Sequence, residues 1–88
     1  MLTTRELLQD VLTRYKLTSF QQLADLIGTS RQAIHQQLDG GSMRPIHAVK
    51  VAELLDLDAL KVLAATQAEQ ARTDEERACW ERLYQLRP

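Results

Sequence analysis

Apolar residues recur every three or four positions along most of the chain, which is the spacing of one face of an α-helix. The first such run contains Leu7, Leu8 and Val11 and begins after Thr3-x-x-Glu6, a capping box, so we predict a helix over about residues 4–15. No segment alternates apolar and polar residues with the period of two that a half-buried strand shows. The pattern therefore predicts an all-α protein.

The second and third predicted helices are short and are separated by a glycine. The second runs from about Phe20 to Ile27, and Gly28 follows as a residue that can adopt a positive φ and end a helix. The third runs from about residue 30 to residue 38. Two polar residues compete as the cap of each helix: Thr18 and Ser19 for the second, Thr29 and Ser30 for the third.

Three more helices are predicted in the rest of the chain. Pro45 suits the first turn of the fourth, where its missing N–H costs little, and His47 is expected to be a surface or helix-start residue. Asp58 is a good cap for the fifth, and Thr73-x-x-Glu76 is a capping box for the sixth. The expected apolar face of the fourth helix consists of Ile46, Val49, Ala52, Leu54 and Leu55.

The second and third helices together have the layout of a helix-turn-helix, in which the second of the two helices enters the DNA major groove. Leu23, Ala24, Ile27 and Ile34 are spaced to face one core, and the small Ala24 would let the two helices cross closely. The side chains left pointing outward include Arg and Gln, which bond guanine and adenine edges in that groove. Backbone N–H groups at the start of the third helix suit a phosphate oxygen.

The stretch from Gln21 to Ile34 resembles the motif of the Cro/CI-type (lambda-repressor-like) helix-turn-helix family, which runs roughly Q-x-x-L-A-x-x-L-G-V-S-x-x-x-V/I. The resemblance covers about residues 4–66 and includes the Met43-Arg44-Pro45 entry to the fourth helix. Phe20 departs from the family, which often has Gln at that helix start. The chain as a whole looks most like the small regulators encoded by phages and prophages.

The resemblance implies a lambda-repressor-like five-helix DNA-binding domain over residues 1–68, with an additional C-terminal helix in residues 69–88. It also implies a double-stranded DNA operator as the partner. The base-reading residues would be Arg31, Gln32, His35 and Gln36, although His35 could equally be a solvated residue. The phosphate contacts would come from Gln21, Ser30, Arg44 and Lys50.

The charge distribution agrees with a local rather than a global affinity for DNA. The chain has a net charge of −1, but the segment from Arg14 to Lys50 holds five basic and two acidic residues, a net of +3. The segment from Val51 to Pro88 holds five basic and eight acidic residues, a net of −3. Affinity for DNA depends on the charge of the face that meets the phosphates, and the positively charged segment is the one that contains the motif.

Other classes of function find little support in the sequence. No paired carboxylates, Ser/His/Asp set or Gly-rich phosphate loop is present, and two histidines without further ligands at suitable spacing do not make a metal site. We therefore expect no enzyme, no cofactor and no metal. The single Cys79 is expected to be a packing residue in a reducing, cytoplasmic setting, and no apolar run approaches the ~20 residues of a membrane span.

The sixth helix leaves two interpretations open. It could fold back and cover the core of its own chain, or it could form a homodimer interface, since aromatic residues are enriched at interfaces. The interface residues would be Trp80, Leu83, Tyr84 and Leu86. An alternative function, as a protein-binding adaptor such as an antirepressor or an antitoxin-like module, would use this acidic C-terminal half instead.

Overall fold

The structure, a computed structural model, describes residues 1–41 and 43–88, and within them it contains six helices and no strand. The all-α prediction is confirmed. The helices are α1 (Thr4–Arg14), α2 (Phe20–Ile27), α3 (Arg31–Leu38), α4 (Pro45–Leu54), α5 (Ala59–Gln70) and α6 (Asp74–Leu86). Among the described residues, no helix has the length and apolar character needed to cross a membrane.

Side-chain caps define five of the six helix starts. In each case the side-chain oxygen of the cap accepts a hydrogen bond from the backbone N–H three residues later, which satisfies a donor that the helix itself leaves free. The five caps are Thr3, Ser19, Ser30, Asp58 and Thr73. Of the competing candidates, Ser19 rather than Thr18 caps α2, and Ser30 rather than Thr29 caps α3.

Residues in the left-handed conformation follow four of the helices. Gly28 ends α2 at φ +90° as predicted, and Gly40 follows α3 at φ +94°. Lys16 after α1 and Asp56 after α4 adopt the same conformation at φ +53° and +55° without being glycine. The N–H of the next residue then bonds back to a carbonyl in the last turn, as from Leu17 to Leu12 at 2.9 Å.

The core lies between α1, α2, α3, α4 and α5. The contact of α1 with α5 is reinforced by Thr4, whose N–H and hydroxyl both donate to Glu69 Oε1, at 3.0 and 2.8 Å. The fully buried apolar side chains of this core are Leu7, Leu8, Val11, Leu23, Ala24, Ile34, Ala48, Val51, Ala52 and Val62.

The predicted apolar face of α4 is partly wrong. Ile46 and Val49 are 67% and 37% exposed, and the buried face instead carries Ala48 and Val51 together with the predicted Ala52 and Leu55. At about 100° per residue, Ile46 lies half a turn around the helix from Leu55. Once Leu55 packs inward against the core, Ile46 must therefore point outward.

Helix α6 packs along α5 of the same chain, as in the folded-back interpretation. α5 presents a row of alanines, including Ala64, Ala65 and Ala68, all buried. Such small side chains let a neighbouring helix approach closely. The end of α6 is fastened by Arg87, whose guanidinium bonds both carboxylate oxygens of Asp58, at 2.6 Å in the shortest contact.

Candidate nucleic-acid interface

The helix-turn-helix predicted from the sequence is present as α2, a turn at Gly28, and α3. Leu23, Ala24 and Ile34 are completely buried and Ile27 is nearly so, which confirms the predicted inner face. The N–H of Thr29 donates to Ala24 O at 2.9 Å, so α2 ends and the backbone turns immediately after Ile27. This close turn fixes the angle at which α3 leaves the core.

The four predicted base-reading side chains all lie on the exposed face of α3. Within residues 1–41 and 43–88, no hydrogen bond or ion pair uses any of these side chains. Their polar atoms are therefore available to an external partner. The four are Arg31, Gln32, His35 and Gln36, each exposed.

The ring of His35 has one aromatic neighbour. The centroids of the His35 and Phe20 rings are 4.9 Å apart, and the ring planes are inclined at 76°, an edge-to-face arrangement. Phe20 is the first residue of α2 and is half-buried. The pair therefore joins the beginning of α2 to the middle of α3 on the exposed side.

The four predicted phosphate-binding residues are distributed around α3. Ser30 caps α3 through its bond from the Ala33 N–H, and Gln21 on α2 donates its Nε2 to Asp25 Oδ1 at 2.9 Å. Arg44 lines a cleft beside α3, and Lys50 lines another beside the turn at Gly28. Both basic residues are exposed. The backbone thus places positive charge on the flanks of the outward face.

The polar cleft beside α3 was not predicted from the sequence. Gln37 is only 6% exposed, more deeply buried than the neighbouring apolar Leu38, which is half-buried. His47 is also buried, so the surface alternative is wrong, whereas its expected place at the start of α4 is confirmed. Gln37 Oε1 and His47 Nδ1 have no hydrogen-bond partner among the described residues, and both side chains line one cleft of about 360 Å³.

The electrostatic state of His47 follows from this position. Burial, followed by the positive charge of Arg44, lowers the pKa of His47 below its ordinary value of 6.5. The imidazole is therefore predominantly neutral at pH 7 and adds little charge beside α3. Arg44 supplies the positive charge of this cleft.

Two contacts that the sequence pattern did not reveal hold the C-terminal end of α3. Arg5 on α1 donates from Nη2 to Leu38 O at 2.7 Å, which places a positive charge at the negative end of the helix dipole. The N–H of Gly41 donates to Gln36 O at 2.8 Å. The outward face is thus fixed by the turn at one end and by these two bonds at the other.

The residues predicted to form a dimer interface lie away from α3, on α6. Trp80, Leu83 and Tyr84 are half-buried, and Lys61 Nζ lies 4.5 Å from the centre of the Tyr84 ring. Leu86 is 80% exposed. Cys79 is exposed rather than packed.

The chemistry of the described residues offers donors and acceptors rather than a metal centre. In the part of the chain that the structure describes, no three His, Cys, Asp or Glu side chains come together as metal ligands.

Comparison with known proteins adds no relative: no family model, no curated protein and no solved structure matches the chain. The function must therefore be inferred from the geometry of α2, the turn and α3.

Proposed function

We propose that the protein is a sequence-specific DNA-binding transcriptional regulator with a lambda-repressor-like arrangement of α1 to α5. The exposed face of α3 is the observation that supports this proposal most directly. Its four polar side chains have no partner among the described residues, while the opposite face of the helix is buried against the core. An eight-residue helix is about 12 Å long, and a B-DNA major groove about 12 Å wide admits a helix.

In the proposed complex, α3 lies in the major groove and reads base edges. Arg31 bonds guanine, Gln32 and Gln36 bond adenine, and His35 makes a single contact. Ser30, Gln21, Arg44 and Lys50 face phosphates and fix the register. Since α3 carries only one arginine, most of the electrostatic affinity comes from the flanking basic residues.

We propose that the protein binds its operator as a homodimer in the bacterial cytoplasm. Its role would be that of a repressor or Cro-like protein of a phage or prophage. One short helix reads only a few base pairs, and a two-fold pair places two such helices in successive major grooves about 34 Å apart. Leu86 supports a dimer contact near the end of α6, because it is a large apolar side chain that its own chain leaves 80% exposed.

A test separates base reading from general attraction to DNA. A binding site is selected from a randomised duplex library, and affinity is measured by fluorescence anisotropy on the selected and the scrambled sequence. We expect Gln32→Ala to lose about 5- to 150-fold on the selected site and nothing on the scrambled one. Gln9→Ala, on the exposed side of α1, is the matched control and should change neither.

The phosphate contacts have their own signature. Arg44→Ala should weaken binding to both sequences equally and reduce the slope of log affinity against log salt by about one.

Equal losses on both sequences for Gln32→Ala would remove Gln32 as a base reader. Absence of any selected sequence would remove the proposal itself.

The second candidate function is a protein-binding adaptor. It is favoured by α6, which has no buried residue and begins with the exposed carboxylates of Asp74, Glu75 and Glu76. An adaptor of this kind would keep its activity when Arg31 and Gln32 are both replaced by alanine. It would lose that activity on truncation before Thr73.

A further inference from the structure

The Phe20–His35 pair distinguishes His35 from the other outward side chains of α3. The two rings meet edge to face at 4.9 Å, with a 76° angle between their planes. No hydrogen bond among residues 1–41 and 43–88 uses either His35 nitrogen, so the ring is restrained by an apolar contact while its polar atoms stay free.

The neighbouring side chains have no such restraint. Arg31, Gln32 and Gln36 are exposed and make no hydrogen bond within the described residues. Their longer chains must lose more rotamer freedom when they contact a partner, whereas histidine has only two side-chain torsions. A His35 ring already held by Phe20 loses the least on binding.

The orientation of the ring decides what His35 can bond. A neutral imidazole offers one donor and one acceptor on different atoms, so turning the ring exchanges which of them faces outward. In the major groove, purine N7, guanine O6 and thymine O4 accept hydrogen bonds, whereas cytosine N4 donates. A ring fixed with its donor outward would therefore favour an acceptor, such as purine N7, at one position of the site and disfavour cytosine there.

We propose that Phe20 is a positioning residue for sequence reading: it fixes the His35 ring so that one imidazole N–H contacts a purine acceptor at a single base pair. This inference rests on the proposed DNA-binding function and refines it. Phe20 acts through His35 and contributes to sequence preference without itself bonding a base edge.

The test combines two replacements of Phe20 with a double-mutant cycle. Phe20→Leu keeps an apolar side chain and removes the ring, and Phe20→Tyr keeps the ring. For each variant, the affinity for the selected site is compared with that for sites changed at each base pair in turn. Phe20→Leu should reduce the preference at one base pair by about 3- to 10-fold, the range expected for losing an edge-to-face aromatic pair.

Three controls isolate the positioning role. Phe20→Tyr should retain the preference, and Phe20→Leu should leave the affinity for scrambled DNA unchanged, which shows that α2 and α3 are still folded. In a His35→Ala background, Phe20→Leu should have no further effect on base preference. A change that persists without His35 would assign Phe20 a purely structural role and overturn the proposal.

A measurement without DNA keeps the inference separate from the function on which it rests. In the free protein, the His35 ring-proton NMR signals should shift in Phe20→Leu, which lacks the ring current, and stay close to those of the wild type in Phe20→Tyr. Unchanged signals in Phe20→Leu would overturn the inference even if DNA is read. A wild-type protein that prefers no sequence would instead overturn the proposed function.

Discussion

Replacement of Gly41 by alanine tests how the end of α3 is built. The φ of Gly41 is not in the left-handed region, so its backbone conformation is open to any residue. A Cβ at this position, however, would lie 2.5 Å from Gln36 O and 3.0 Å from Gln36 C. Both are backbone atoms of α3, which cannot rotate away as a side chain can.

The size of the effect follows from these distances. Restoring even a 3.0 Å separation from Gln36 O requires the loop or the last turn of α3 to move by about 0.5 Å, and that movement strains the 2.8 Å bond from Gly41 N–H to the same oxygen. Overpacking typically costs about 1–3 kcal/mol and a lost hydrogen bond about 1 kcal/mol. We expect Gly41→Ala to lower the free energy of unfolding by about 2–4 kcal/mol.

Gly40→Ala is the matched control at the next position. Its Cβ would meet nothing within 4 Å, but its φ of +94° is unfavourable for alanine. That cost is about 1–2 kcal/mol. Urea unfolding followed by circular dichroism gives both values on the same scale, and thermal midpoints should fall by about 4–8 °C for each kcal/mol. If Gly41→Ala is less damaging than Gly40→Ala, the close approach is not a constraint and this reasoning fails.

Three further predictions concern contacts outside α3. Lys16→Gly should raise the free energy of unfolding by about 0.5–1 kcal/mol by relieving the left-handed backbone at φ +53°, whereas Lys16→Ala should give no gain in the same urea titration. Glu69→Ala should cost about 1–3 kcal/mol because the buried Thr4 loses its acceptor, and Glu69→Gln, which keeps an acceptor oxygen, should cost less. The Arg87 guanidinium and, to a smaller extent, the Lys61 N–H lower the pKa of Asp58 from 3.8 to about 2. As the pH falls, Asp58 is therefore protonated in the unfolded chain before it is protonated in the folded protein, and the free energy of unfolding should fall between about pH 4 and pH 2. Unfolding midpoints in that range should depend less on pH in Arg87→Ala; an unaltered profile would remove the ion pair as the cause.

The helix starts could be predicted from the sequence because each depends on a local rule. Thr73 is a cap whose partner lies three residues away in the chain, Ser19 and Ser30 were each one of two candidate caps, and Gly28 ends a helix through its own backbone freedom. The inner face of the helix-turn-helix was also predictable, since Leu23, Ala24, Ile27 and Ile34 recur at the spacing of one helix face on two very short helices.

What could not be predicted depends on neighbours distant in sequence. The apolar residues of α4 surround much of that helix, so only the positions of its packing partners determine that Val51 is buried and Ile46 exposed. Gln37 and His47 are polar, and nothing local signals that both are buried beside this cleft. The ring contact of Phe20 with His35 joins residues of two helices and needed the crossing geometry to be known.

The attachment of α6 gives the chain two levels of cooperativity. In the described residues, the substantial packing of α6 is all against α5, and no α6 side chain is buried. A segment held by a single neighbour can detach without opening the core, so its amides should exchange with deuterium through local openings. The amides of α1 and α2 should instead exchange only on global unfolding. Deuterium exchange followed by mass spectrometry should show a slow-exchanging core that ends within α5. The C-terminal helix could therefore be gained, lost or replaced in evolution without any change to the exposed face of α3.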